Sequence, residues 1–137
     1  MFDLPKLIAG LKSEDWQERF DAAFNLAQMG NLAKPAVPSL VEILSEPDML
    51  LNKMAVVALG AIGPDARAAV PSLTEVLLND HEPSVRRLTA VSLGQIGAQE
   101  AMPALEQASE EDEDDDVRET AADALAEIET LPARAAA

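Results

Sequence analysis

The sequence predicts an all-α protein, a right-handed alpha-alpha superhelix (solenoid) made of four helix–turn–helix repeats. Three observations lead there. A four-residue phrase comes back four times, as LPKL at Leu4–Leu7, VPSL at Val37–Leu40 and Val70–Leu73, and MPAL at Met102–Leu105, its prolines 33, 33 and 32 residues apart. Apolar residues follow each phrase at helical spacing, and no stretch alternates with period two for long. The 137 residues are 48% hydrophobic but only 3% aromatic, which suits helices packed closely through Ala, Leu, Val and Ile.

In every repeat the first helix starts at the proline, whose missing N–H has no intrahelical partner in a first turn. Repeat 1 (residues 4–30) places Leu7 and Leu11 on that helix and continues with ERFDAAFNLAQMG, carrying Glu18 where a Val or Leu is expected. Repeat 2 (37–63) has Leu40 and Leu44, then LNKMAVVALGAIG. Repeat 3 (70–97) has Leu73 and Leu77, then VRRLTAVSLGQIG, where Val85, Thr89, Leu93 and Ile96 mark one helix face. Gly30, Gly63 and Gly97 end these second helices in a place suited to a left-handed C-cap. Repeat 4 (102–129) has Glu129 there and runs into a short Ala-rich tail, 130–137. One hairpin cannot bury its own apolar face, so the four must stack into a single domain.

Composition removes several function classes. With no cysteine, disulfides, thiolate zinc sites and a cysteine nucleophile are excluded. Apolar runs are broken by Pro, Gly or charge before the roughly 20 residues of a membrane span, and the start lacks the basic lead-in of a secretory signal. A soluble, cytoplasmic protein without a membrane partner is the expectation. The net charge of −15 argues against nucleic acid, which is bound through Lys and Arg. Residues 1–97 hold 12 acids and 8 bases, residues 98–137 hold 13 acids and 2 bases, so the acidity belongs to the C-terminal end.

The segments GPDARAAVPSL (Gly63–Leu73) and VRRLTAVSLGQIG (Val85–Gly97) resemble the short HEAT-like repeats of phycobilisome-lyase type, and the resemblance extends over roughly the whole chain. It implies that the second helices line a concave surface. It also implies that Arg19, Arg86 and Arg118, which share one place in repeats 1, 3 and 4, form a ladder with acids in adjacent turns; Asp48 and Asp80 are the expected partners. Asn52 breaks that series. Deoxyhypusine hydroxylase, a HEAT-like enzyme, holds iron with His-Glu pairs; aligned on the ALG phrase, those pairs fall here at Lys53-Met54 and Arg87-Leu88, which are not ligands. His81-Glu82 lies in a turn, and His81 is the sole histidine. No metal, no cofactor and no catalytic residue is therefore expected.

Two features point toward partners. The run Glu110–Asp116 fills an inter-helix turn of ordinary length, since Pro71 to Val85 and Pro103 to Val117 both span 14 residues. A solvated turn, a divalent-cation site and a dock for a basic partner all remain open for it. The second feature is a stripe. Counting from the first buried residue of each second helix as zero, positions 2, 6 and 9 lie opposite the buried face. Position 2 reads Phe20, Lys53, Arg87, Glu119; position 6 reads Phe24, Val57, Val91, Asp123; position 9 reads Ala27, Gly60, Gly94, Ala126. An apolar stripe on an outward face marks an interaction surface. The expected function is a non-catalytic scaffold that binds a protein or peptide segment through Phe20, Phe24, Lys53, Val57, Arg87 and Val91. The competing view of the phenylalanines is an N-terminal cap folded against Phe2. The resemblance alone implies an alternative, a lyase-like or chaperone-like subunit for a bilin-bearing protein. Self-association through the end repeats stays open as well.

Overall fold

The computed structural model describes residues 2–132. Among the described residues eight α-helices form four hairpins: α1 (Leu4–Gly10) with α2 (Trp16–Met29), α3 (Val37–Ile43) with α4 (Met49–Ile62), α5 (Val70–Asn79) with α6 (Pro83–Ile96), and α7 (Met102–Glu111) with α8 (Asp115–Glu129). Within the described residues there is no strand. The second helices stack in the order α2, α4, α6, α8, so that the chain is an α solenoid. From residue 133 on, the expected tail lies outside the described residues.

Each repeat proline occupies the first turn of its helix, as its missing N–H demands. Second helices begin on acids: Asp15, Asp48 and Asp114 accept backbone N–H bonds from Gln17, Leu51 and Val117 at 2.9–3.0 Å. The third begins without a side-chain cap, on Glu82 followed by Pro83. At the closing glycines φ is positive throughout, but only Gly97 is left-handed helical (φ 72°, ψ 21°). Gly30 and Gly63 have ψ near −140° instead. Pro64 explains the second case, because the residue before a proline is pushed out of helical ψ. Both glycines lead into 3-10 segments, Gly30–Ala36 and Gly63–Ala69, which connect the repeats. Their buried alanines, Ala33 with Ala36 and Ala66 with Ala69, are three residues apart, which is one turn of a 3-10 helix.

The core is one continuous column of Leu, Ile, Val and Ala running through all four repeats. Met49–Asn79 is apolar and long enough to pass for a membrane span, yet 56% of its most apolar window is buried inside this column. Position 9 is where the expectation fails. Gly60 and Gly94 are buried, not outward-facing. A Cβ on Gly60 would stand 3.0 Å from Ser92 Cα and 2.6 Å from Ser92 Oγ, and would run into Gln95. On Gly94 it would stand 3.1 Å from Ala124 Cβ and 3.2 Å from Ala124 Cα. These glycines are the places where α4 meets α6 and α6 meets α8. Ser92 Oγ adds a 2.6 Å bond to the Val56 carbonyl across the first of these crossings.

Gly60→Val tests the close approach. The substitution is expected to cost about 2–3 kcal/mol through overpacking, seen as an earlier urea midpoint, with helical circular dichroism retained at low denaturant.

Candidate protein-binding surface

The stripe residues are set by the geometry of the second helices, and the structure sorts them. Phe24 and Val91 are exposed, at 48% and 37% of their surface. Arg87 is exposed, whereas Lys53 and Val57 are half-buried. Phe20 differs from the expectation of a free contact: it is half-buried, packs on the core, and stacks on Trp16 with ring centroids 5.2 Å apart. Ala27 is half-buried, and of the position-9 residues only Ala126 is exposed. A helix wheel places the buried sector of one helix but does not say on which side its neighbour will lie.

Trp16 is the residue that sequence reasoning missed. Its indole N–H donates to Asp48 Oδ2 at 2.6 Å, tying the start of α2 to the start of α4. Trp16, Phe20 and Phe24 follow one another every four residues and so form an aromatic lane along α2. That i, i+4, i+8 spacing was readable, but nothing in the sequence tied Trp16 to Asp48. The lane does not meet Phe2. Phe2 instead lines a hollow of about 500 Å³ with Lys6, Leu7, Gln17, Asp21 and Asn25, to which Phe20 and Phe24 do not contribute. Asp21 and Asn25 stand where later repeats carry Met54 and Ala58, or Leu88 and Ser92. Polar side chains thus replace apolar or small ones at these two positions of the first repeat.

The arginine ladder exists, with different partners. Arg19 pairs with Glu46 of the next turn, not with Asp48, and its Nε donates to the Leu11 carbonyl at 3.0 Å. Arg86 grips Asp112 of the next turn through two bonds of 2.9 and 3.0 Å. From Asp80 it takes only the backbone carbonyl, at 2.8 Å. Arg118 bonds the Asp112 carbonyl at 2.6 Å and turns back to Asp115. Asn52 follows the same pattern within its repeat, donating to the Glu46 carbonyl at 2.9 Å, but it is too short and uncharged to reach onward. Its Oδ1 is buried without a hydrogen-bond partner. On the outer layer, Arg67 and Glu100 form an exposed bidentate pair, which holds the Glu100 carboxyl below its usual range.

The acidic run is partly structural. Asp112 serves Arg86, Asp114 caps α8, and Asp115 serves Arg118. Burial pushes the Asp112 carboxyl up, but the Arg86 guanidinium and the Asp114 N–H pull it down further, and the net direction is down. Among the described residues no group of three or more His, Asp or Glu is placed to hold a metal ion. Lys53-Met54 and Arg87-Leu88 occupy α4 and α6 as the alignment placed them, and His81 is exposed in its turn.

With this geometry in place, the comparisons are direct. A family model of HEAT repeats matches residues 4–90 and 70–137. The chain belongs to the HEAT-repeat family. An engineered protein solved as a structural-genomics target is 28% identical, with a TM-score of 0.77 over 96% of this chain and 64% of that one. Human deoxyhypusine hydroxylase in complex with glycerol is 30% identical, with a TM-score of 0.74 over 92% of this chain and 43% of that one. A designed armadillo repeat protein, 23% identical, shares the fold with a TM-score of 0.74 over 91% of this chain and 64% of that one. The chain thus spans less than two thirds of each. No curated protein matches it.

Two outcomes test the ladder. A carboxylate with a depressed folded pKa stabilises above its unfolded pKa, and that contribution is lost as pH falls through the folded value. Asp112→Asn, which keeps the Oδ1 acceptor, is expected to cost about 2 kcal/mol near neutrality, or roughly 5–8 °C in Tm. The gap between variant and parent should close once the pH is well below the ordinary Asp value of about 3.9. Conversely, Asn52→Arg supplies the missing rung toward Asp80. It should raise Tm by about 2–4 °C, and adding Asp80→Asn should remove the gain.

Proposed function

We propose that this HEAT-repeat protein is a non-catalytic scaffold or adaptor that holds a protein segment along the concave face of its second helices. The observation that carries this reading is the exposure of Phe24 and Val91 on a helix face that solvation alone would make polar. Phe24 supplies an aromatic anchor at one end, Val57 and Val91 continue the apolar row, and Lys53 and Arg87 flank it. Solenoids of stacked helical pairs commonly bind partners on such extended concave surfaces, which supports the same reading. A cytoplasmic location and the absence of nucleic-acid and membrane partners are proposed with it, on the strength of composition.

The bilin-handling alternative draws on sequence resemblance only. With no cysteine and no tyrosine in the chain, and His81 in an exposed turn, it has little chemistry to work with.

The immobilised protein is expected to capture a specific partner from lysate, identified by mass spectrometry. Phe24→Asp and Val57→Asp should each reduce that capture by tenfold or more, or about 1.4 kcal/mol and upward, with circular dichroism and Tm close to the parent. Unfolding of both variants would instead make the row part of the core.

A further inference from the structure

We propose that the segment held on the concave face has a defined charge order: an apolar block over α2, an acidic block over α4 and α6, and a basic block over α8. The inference rests on the reading of that face as a protein-binding surface, and adds the chemistry of its occupant. Four arginines of the described residues, Arg19, Arg67, Arg86 and Arg118, each hold a carboxylate. Lys53 and Arg87, the two bases of the concave face, are in no ion pair among the described residues. No ion pair between repeats therefore uses them. Arg87 also lines a shallow hollow of about 330 Å³ with Glu82, Ser84, Asp114 and Asp116.

On α8 the same two positions turn acidic, as Glu119 and Asp123, both exposed and with no basic partner among the described residues. The face thus passes from aromatic through cationic to anionic over four helices. Buried positions of the repeats stay alike from one to the next, as with Leu59 and Leu93 or Ile62, Ile96 and Ile128, whereas the concave positions change character in an ordered way. Neighbouring helix axes lie about 8–10 Å apart, and an extended chain advances about 3.3 Å per residue. Each repeat then meets about three residues, and the complementary segment is about twelve long. Opposite charges facing one another set register and reject wrong partners more than they add affinity.

The test uses two fluorescein-labelled synthetic peptides of about twelve residues and identical composition. One has the order apolar, acidic, basic; the other has the order apolar, basic, acidic. Because either peptide can lie in both chain directions, only the block order distinguishes them. In fluorescence anisotropy at low salt the first should bind about tenfold more tightly, and the gap should shrink at high salt. The variant Lys53→Glu, Arg87→Glu, Glu119→Lys, Asp123→Lys keeps the net charge and should reverse the preference. If that variant does not fold, its two halves, Lys53→Glu with Arg87→Glu and Glu119→Lys with Asp123→Lys, should each erase it. Equal affinity for the two peptides, an unchanged preference in the folded variants, or binding of neither peptide would overturn the charge order. Capture by the parent protein that is lost in Phe24→Asp reports on the surface separately, so the surface can stand where the order falls.

Discussion

Between α4 and α6, and again between α6 and α8, the helices meet through residues with almost no side chain. Gly60 leaves Ser92 Cα only 3.0 Å from where a Cβ would be, and Gly94 does the same for Ala124 at 3.1–3.2 Å. Close approach of this kind sets the step from one repeat to the next. It also decides what remains on the surface, since α4 and α6 are clamped on two flanks, α2 and α8 on one, and each is packed underneath by its own first helix. On α4 and α6 only one sector is left open. The open face of the second helices is the residue of these constraints, and its free positions follow from where the small residues sit.

A second set of interactions holds the turns in register without adding bulk. In each repeat one polar side chain donates to a carbonyl of its own inter-helix turn: Arg19 to Leu11, Asn52 to Glu46, Arg86 to Asp80, Arg118 to Asp112. Where that side chain is arginine and another repeat follows, it also grips an acid of the next turn, Glu46 or Asp112. The bidentate geometry at Arg86 matters more than the charge alone, because a planar guanidinium fixes both distance and orientation. At Asn52 the first bond survives and the second is lost, so repeats 2 and 3 rely more on the apolar contact beneath them. The Ser92 to Val56 bond lies at that same junction.

Much of the fold was legible because the repeat is written four times. A proline in a first turn and an apolar face at i, i+4, i+8, i+11 are local rules, and they placed eight helices. The 3-10 segments were not legible in the same way. Their signal is a pair of alanines three residues apart, which a short connection can carry for many reasons. Arg19 takes Glu46 rather than Asp48, because both acids lie in one turn and only the fold shows that Asp48 is engaged as a helix cap and by Trp16. Arg86 takes Asp112 of the following turn and only the backbone carbonyl of Asp80. Positions 2 and 6 range from Phe20, packed on the core, through half-buried Lys53 and Val57 to exposed Phe24, Arg87 and Val91. Gly60 and Gly94 of position 9 belong to the helix crossings, and small residues look alike whether they line a groove or a close contact.

The open positions of the second helices gain their meaning from the comparison between repeats rather than from any one of them. Had stacking required Val57 and Val91, then Phe24 and Asp123 could not stand in the same place, since they differ in size, shape and charge. Had solvation alone shaped the face, Phe24 and Val91 would not be exposed beside Lys53 and Arg87. The row has three zones, and its most exposed members are Phe24, Arg87, Val91, Glu119 and Asp123, whereas Phe20, Lys53 and Val57 are half-buried. The aromatic lane from Trp16 to Phe24 strengthens the point, because Trp16 and Phe20 stack on one another and on the core while Phe24 is left projecting from a braced support. An anchor held in that way loses little freedom when it is covered, and low ordering cost is what lets a small apolar contact dominate a long, otherwise polar groove.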